Sequence, residues 1–475
     1  MYRFTKITLV SIISIVILYF CYYFALNSYY TIKRYLNLDN TRLYLLEVNE
    51  DLEQRAIRNK EEIKFLKDRI THISMFIRDK IDIIKFEKIN EEKFQVLNKN
   101  LDLTKFSTDF LNIGKHNEAR GSAYLDIMDD NLFLMSGDGI LGYHDLNERR
   151  NVSIEFKTIQ TNIEEFITYE RFYQRSKFGI KDILVFNENL YISFIKEYSK
   201  NCFTPAVVKG KINYNKINLQ LIYEDENCIN YVDDNTRFSA HQSGGRIKGK
   251  DSNTIIMTTG AYFDLDHPQS NDSSLGKLIE IDINNREYRI LAKGMRNSQG
   301  LYYDKSKEII VMSEHGPKGG DEINIYRLND FDIVNYGWPI SSYGDHYQEF
   351  SEKSKWKYEK APLYKSHKDY GFQEPIKYFI PSIGTSEIIK INQKFMNNNE
   401  EDNNYFLGSL GNKIVEGDMS LHYISFDENY KNITFEEIIV INERVRDIVY
   451  YENGNMYILF LENSSSVGFL EHLRN

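Results

Sequence analysis

The stretch Ile183-Leu184-Val185-Phe186-Asn187-Glu188-Asn189-Leu190-Tyr191-Ile192-Ser193-Phe194 sets two short apolar runs on either side of a three-residue polar turn. Apolar and aromatic runs of this length, bounded by Asn or Asp, read as strands. The form returns in Leu132-Phe133-Leu134-Met135, Thr254-Ile255-Ile256-Met257 and Glu308-Ile309-Ile310-Val311-Met312. It returns again as Met456-Tyr457-Ile458-Leu459-Phe460 after the turn Asn453-Gly454-Asn455. Long helical periodicity is absent after Ser122. Regular short strands with turn signals predict an all-β sandwich, barrel or propeller. About 360 residues exceed one sandwich, and six units of roughly 60 residues each match four-stranded propeller blades.

Composition narrows the function. The 475 residues carry 59 Lys+Arg against 69 Asp+Glu, a net charge of −10 that argues against a nucleic-acid partner. The 35 Tyr and 29 Phe suit strands. With 3 Cys the chain is neither a disulfide scaffold nor a multi-cysteine zinc protein.

The N-terminus departs from these averages. Residues Ile7 to Leu26 form an uncharged run long enough to span a bilayer as a helix. The run is longer than a signal-peptide core and ends in Tyr, Phe, Leu and Asn rather than at small residues, which favours an uncleaved anchor over the alternative of a cleaved signal peptide. The expectation is a cytoplasmic 1–6, a single-pass transmembrane anchor at 7–26, and a body on the periplasmic or extracellular side. Arg3 and Lys6 before the span and Lys33 and Arg34 after it give little charge contrast. The orientation therefore follows the usual signal-anchor arrangement.

Residues 40–100 contain no Pro or Gly between Asn40 and Asn100 and read as a helical, coiled-coil-like stalk. Leu45, Leu52, Asn59, Leu66 and Ile73 take one heptad position, and Asn49, Ala56, Ile63, Ile70, Ile77 and Ile84 the other. A homo-oligomer through this stalk and a single amphipathic helix against the body both satisfy the pattern. The body is assigned to 110–475.

Four clusters fall in turns or at strand ends: His241 to Arg246, Gly294 to Leu301, Glu314 to Glu322 with Asn335 to Pro339, and Glu443 to Asp447. Each alone also fits a loop or a solvated charged face. Arg444 and Arg446, two apart in a strand-like stretch, point to one face. Two close guanidiniums repel unless an anion or solvent compensates them, and Arg is the preferred partner of planar carboxylates. The clusters predict an anion site with a nearby histidine.

In this order the clusters resemble the soluble quinoprotein sugar dehydrogenases, the glucose/sorbosone dehydrogenase family. The specific stretch is Arg296-Asn297-Ser298-Gln299-Gly300-Leu301, then Ser313-Glu314-His315-Gly316-Pro317-Lys318-Gly319-Gly320-Asp321-Glu322, then Asn335-Tyr336-Gly337-Trp338-Pro339. Looser matches are Pro381-Ser382-Ile383, Gly408-Ser409-Leu410 and Arg444-Val445-Arg446-Asp447. The resemblance implies a six-bladed β-propeller that holds pyrroloquinoline quinone (PQQ) and calcium and oxidises an aldose at C1. By that resemblance His241 is the base, suited by an imidazole that titrates near neutrality, and Arg296 polarises the quinone oxygen. Asn297, Gln299, Arg444 and Arg446 contact the cofactor. Backbone carbonyls of Gly316 and Pro317 ligate calcium, a hard cation that takes oxygen donors. Glu322 and Tyr336 match a second, structural calcium site. The electron acceptor is not named by the sequence.

Two departures bear on this. Gly411 stands where the family often has a cofactor-contacting lysine, and Lys413 would face the same way two residues on. Ile380 stands where some members have an aromatic residue before the Pro-Ser pair. These changes keep open a non-catalytic propeller that binds carbohydrate or protein from a coiled-coil stalk. A hydrolase or lactonase of another six-bladed family would need an inward acidic cage, and the sequence shows none. Cys202 and Cys228 either pair, as an oxidising compartment permits, or stay as two buried thiols.

Overall fold

The computed structural model describes residues 81–97, 99–108, 122–137, 139–148, 150–167, 179–200, 202–230, 242–329, 332–396, 403–411 and 419–472. The proposed anchor at 7–26 and the stalk up to residue 80 lie outside the described residues. Among the described residues no helix is long and apolar enough to cross a membrane.

The described chain is all-β and propeller-like. Its strands fall into six units of four antiparallel strands, with three short extra strands at their edges and one long strand, Ile83–Val96, between the sixth and first units. The innermost strands of the units are Ala123–Met128, Ile180–Phe186, Gly244–Asp251, Ser298–Asp304, Thr385–Lys390 and Val445–Tyr451. Each packs against the innermost strand of the next unit, and the sixth packs against the first. These six strands surround a central axis.

The apolar runs have a direct cause in this arrangement. A sheet clasped between two others buries both faces, so its central strands lose the polar alternation of a half-exposed strand. In Leu132-Phe133-Leu134-Met135, Leu132 and Leu134 pack with Ile458 and Phe460 of the sixth unit. Phe133 and Met135 turn the other way, onto Ile183, Ile192 and Val208 of the second unit. Further apolar layers fill the gaps between units two and three, three and four, four and five, and five and six.

The ring closes differently from the sequence expectation. Residues 83–100, assigned to the stalk helix, are β: Ile83–Val96 and Lys99–Ser107 form an antiparallel hairpin. The second strand pairs with Ser466–His472 and completes the sixth unit, while the first pairs with Ser153–Thr161 of the first unit. The β body therefore includes residues 83–107, ahead of the expected start at residue 110. Lack of Pro and Gly does not separate helix from strand; the period does. Ile84 and Phe86 are buried while Ile83, Lys85 and Glu87 are exposed, a repeat of two rather than three and a half. Leu101 and Leu103 continue that alternation on the partner strand.

Cys202 and Cys228 are joined as a disulfide in the second unit, with Cα atoms 5.3 Å apart.

Candidate functional site

The innermost strands carry the polar groups of the axis. Arg246, 1% exposed, is their hub. Its Nη1 lies 3.1 Å from Asp182 Oδ1, 3.0 Å from Glu387 Oε2 and 2.8 Å from Asp447 Oδ1. Its Nε donates to the Gln299 carbonyl and its Nη2 to the Arg446 carbonyl, each at 2.7 Å. Five of the six units thus meet at one guanidinium. The inward acidic cluster that the sequence did not reveal is present: Asp126, Asp182, Glu387 and Asp447 come from four separate strands. Arg246 and Lys248 fill it, and no group of acids and histidines able to hold a metal occurs among the described residues.

Above Arg246, at the end of the axis where the innermost strands begin, the predicted site residues converge. Asn297 Oδ1 accepts from the Gly244 N–H at 3.1 Å and from Gln299 Nε2 at 2.9 Å. Gln299 Oε1 accepts from Arg446 Nη1 at 3.2 Å. His315 N–H donates to the Asn297 carbonyl. Arg296 Nη1 donates to the His315 carbonyl at 2.8 Å and to the Gly316 carbonyl at 2.5 Å. The guanidinium carbon stands 5.3 Å from the centre of the Trp338 ring, a cation–π contact. Clusters one to four therefore share one mouth. His241 and Lys413 lie outside the described residues.

Asp321 fixes the glycine-rich loop. Its Oδ1 accepts from Gly316 N–H at 3.0 Å, and its Oδ2 accepts from Gly384 N–H at 2.6 Å and Thr385 N–H at 3.3 Å. One carboxylate thus clamps the 315–317 turn to the 383–385 turn. The Pro317 carbonyl accepts from Ser382 Oγ at 3.3 Å. Gly316 must be glycine, because a Cβ there would sit 2.0 Å from the Gly320 carbonyl oxygen.

Arg444 and Arg446 come together, and the chain supplies an anion of its own. Arg444 Nε donates to Glu462 Oε2 at 2.8 Å and Arg446 Nε to Glu462 Oε1 at 2.6 Å. Burial alone would raise the Glu462 carboxyl; Arg446 and Arg444 outweigh it and hold it down at about 2. Arg444 also donates to the Leu410 carbonyl. No sequence spacing announces Glu462, which pairs with the arginines across a hairpin.

Glu322 and Tyr336 are placed together but around a histidine. Glu322 Oε1 lies 3.2 Å from His367 Nε2, and His367 Nδ1 lies 2.8 Å from the Tyr336 carbonyl. Burial opposes charging His367, yet Glu322 outweighs it and raises the ring above its ordinary range. The Tyr336 hydroxyl donates to the Ile325 carbonyl at 2.9 Å. Glu322 and the Tyr336 carbonyl thus flank the two nitrogens of one imidazole.

Lys181, which sequence reasoning passed over, belongs to the same mouth. Burial first, and Arg446 second, push its ammonium down to about 7. Arg296, Arg444, Arg446 and Lys181 gather there, with Glu462 joining the two C-terminal arginines and Glu314 and Asp321 near Arg296. Neighbouring Glu314 is pushed up to about 8, by burial first and then by Glu322. The mouth is cationic and suits an anionic ligand. Among the described residues, the buried Arg296 Nε and Thr385 Oγ1 have no hydrogen-bond partner. Such atoms fit a polar ligand. A tricarboxylate quinone matches this donor set. A cavity of about 560 Å³ at the opposite mouth is lined by Asp126, Lys248, Tyr302 and Tyr450 and holds none of the predicted site residues.

Comparisons with known proteins point the same way. A family model described as Glucose / Sorbosone dehydrogenase matches residues 148–468. An uncharacterized protein of Synechocystis is 25% identical over 259 residues, covering 50% of this chain and 57% of that protein. The aldose sugar dehydrogenase of Escherichia coli is 27% identical over 240 residues, covering 47% of this chain and 58% of that protein. The chain thus spans a little over half the length of these curated relatives. Among solved structures, the PQQ-bound aldose sugar dehydrogenase of Streptomyces coelicolor superposes with a TM-score of 0.52 at 14% identity, covering 81% of this chain and 99% of that one. At that identity the likeness shows the fold.

Proposed function

Because the chain belongs to the glucose/sorbosone dehydrogenase family, we propose that it is a PQQ-dependent dehydrogenase that oxidises an aldose at C1. The observation that carries this reading is the convergence of Arg296, Asn297, Gln299 and Arg446 with the Gly316 turn in one cationic mouth. The quinone supplies the two-electron acceptor for the hydride leaving C1. The protein's part is positional and electrostatic. Arg444 and Arg446 neutralise carboxylates. Arg296 donates to oxygen where negative charge develops, in a buried setting where such a donor counts most. Asn297 and Gln299, locked to each other, orient the bound group. His241 takes the proton of the anomeric hydroxyl, leaving the electron pair to form the C1 carbonyl as hydride departs.

The carbonyls of Gly316 and Pro317 suit a calcium ion, which would add Lewis-acid polarisation. Arg296 donates to the Gly316 carbonyl, so that oxygen would be shared between the guanidinium and the ion. An N-terminal anchor at 7–26 would hold the body on the periplasmic or extracellular side. The Cys202–Cys228 disulfide supports that side, since disulfides persist in oxidising compartments. Electrons would pass onward to an external acceptor.

The second reading, a non-catalytic carbohydrate- or protein-binding propeller, draws on Gly411 and on Ile380, which is 62% exposed beside the mouth. The deciding experiment loads the full-length protein with PQQ and calcium and assays aldoses with an artificial electron acceptor. Turnover that His241→Ala abolishes, with the cofactor still bound, is the expected result. No turnover with any aldose and no shift of quinone absorbance would leave the binding module.

A further inference from the structure

The cavity of about 560 Å³ at the opposite end of the axis is built by the later halves of all six innermost strands. Its volume falls within the roughly 300–1,000 Å³ of small-molecule sites. The strands contribute in alternation. Those of the second, fourth and sixth units bring the rings of Phe186, Tyr302, Tyr303 and Tyr450, and those of the first, third and fifth bring Asp126, Lys248 and Glu387.

The rings are set in place by their neighbours. Tyr302 meets Tyr405 edge-on, with ring centres 5.6 Å apart at 84°. Tyr450 packs on Tyr457 at 4.9 Å, and its hydroxyl donates to Asn455 Oδ1 at 2.8 Å. Phe186 lies over Gly249, where an added Cβ would sit 2.6 Å from the ring, so glycine at 249 admits it. The polar groups are set but not saturated. Asp126 accepts from the Ile127 N–H at 2.8 Å on one oxygen and from the Val185 N–H at 2.5 Å on the other, and each carboxylate oxygen has a second lone pair. Glu387 is fully buried, and its Oε2 faces Arg246 without accepting a hydrogen bond among the described residues. Lys248 Nζ stands 3.9 Å from Glu387 Oε1, beyond hydrogen-bond reach.

The cavity therefore sets a donor and acceptors between apolar ring faces. A cation entering would meet Lys248, and an anion would meet Asp126 and Glu387. A hydroxyl group accepts from the first and donates to the others, and the C–H face of a sugar ring buries apolar surface against an aromatic one. We propose that this cavity is a second binding site, for a neutral saccharide, at the end of the axis away from the cationic mouth. The proposal stands apart from the quinone reading, because no residue of the mouth takes part.

The full-length protein without PQQ, Lys248→Gln and Tyr303→Ala are titrated by calorimetry with cellobiose, with maltose, and with cadaverine as a cationic control. Thermal midpoints report folding, and Tyr303→Ala, at a partly exposed wall position, carries the test if Lys248→Gln does not fold. The expected result is saturable binding of a disaccharide by the parent, with Kd raised tenfold or more in each folded variant. Three results would overturn the proposal. The parent binds neither disaccharide; the folded variants bind as tightly as the parent, which places the saccharide elsewhere; or cadaverine binds more tightly than both disaccharides and is weakened by Tyr303→Ala, which assigns the cavity to an organic cation.

Discussion

Replacing Arg246 with methionine is the sharpest test of how the axis is held together. The substitution keeps much of the buried volume and removes the charge. It strips a cation from three carboxylates at 2.8 to 3.1 Å and two donors from carbonyls at 2.7 Å. Removing one partner of a buried ion pair costs about 3–5 kcal/mol, and each orphaned carbonyl adds about 1 kcal/mol or more. A loss of about 5 kcal/mol or more is expected at pH 8, a large share of the roughly 5–15 kcal/mol that holds a domain folded. Lys248, 3.9 Å from Glu387, is then the remaining cation of the cluster. Burial already raises the Asp182 and Glu387 carboxyls, and Arg246 is the first influence opposing it. Without Arg246 they rise further. A carboxyl whose folded-state value lies above its unfolded one stabilises below the unfolded value, and that stability is lost as pH rises through the folded one. The variant should therefore recover on acidification, by up to about 1.4 kcal/mol per pH unit for each carboxyl that holds a proton. Urea midpoints of both proteins at pH 8 and pH 5.5 measure this. A deficit below about 1 kcal/mol, or one equal at both pH values, would refute the claim that Arg246 acts as the counter-charge of the axis.

Three further outcomes follow from the same contacts. Glu462→Gln strands Arg444 and Arg446 and should cost about 3–5 kcal/mol near neutrality. Because the Glu462 carboxyl sits at about 2 when folded, its contribution is present above the unfolded value and lost as pH falls from about 4.5 to 2. The variant should show a flatter acid limb in a pH series of thermal melts. Opening the Cys202–Cys228 bridge by Cys→Ser at both positions frees a loop with a sequence separation of 26, for which chain entropy gives about 3.5 kcal/mol; a denaturation midpoint unmoved by the change would count against the pairing. Deleting residues 83–107 removes the strand that completes the sixth unit. It should leave a protein that fails to fold or aggregates through the exposed edge, read by circular dichroism and size-exclusion chromatography.

The parts of the fold legible in the sequence are those that a local pattern reports. Turn residues beside apolar runs gave the strands, and their number gave six units. The runs themselves said more than expected, because Leu132 to Met135 is apolar throughout only if both faces of its sheet are covered. The hairpin at 83–107 was misread for a physical reason. Its solvent-facing arm carries Glu87, Lys88, Glu91 and Glu92, and these charges mimic the polar flank of a heptad. Only the alternation at Ile84 and Phe86 marks it as β.

The site was legible in its residue types but not in its pairings. Arg296, Asn297, Gln299, Gly316, Arg444 and Arg446 meet as expected, whereas Glu462, Asp321 and Lys181 enter through tertiary contacts that no spacing encodes. Strand bulges explain why, since a bulge leaves one residue out of the ladder and re-aims its side chain. A strand read at period two assigns Arg444 and Arg446 to one face and predicts mutual repulsion. The structure puts the irregularity between Val445 and Asp447, so Arg446 leaves the ladder and points into the mouth, while Asp447 on the resumed strand faces Arg246. Gln299 and Gly300 divide in the same way. In the second, fourth and sixth units a single extra residue thus separates two layers: an upper one at the mouth, and a lower one beside the Arg246 hub. Function and stability are built from neighbouring residues with opposite tasks. A substitution at Gln299 or Arg446 should therefore alter binding with modest loss of stability, whereas one at Asp182, Arg246 or Asp447 should unfold the ring. Measured side by side, equal destabilisation by both sets would remove the division between the layers.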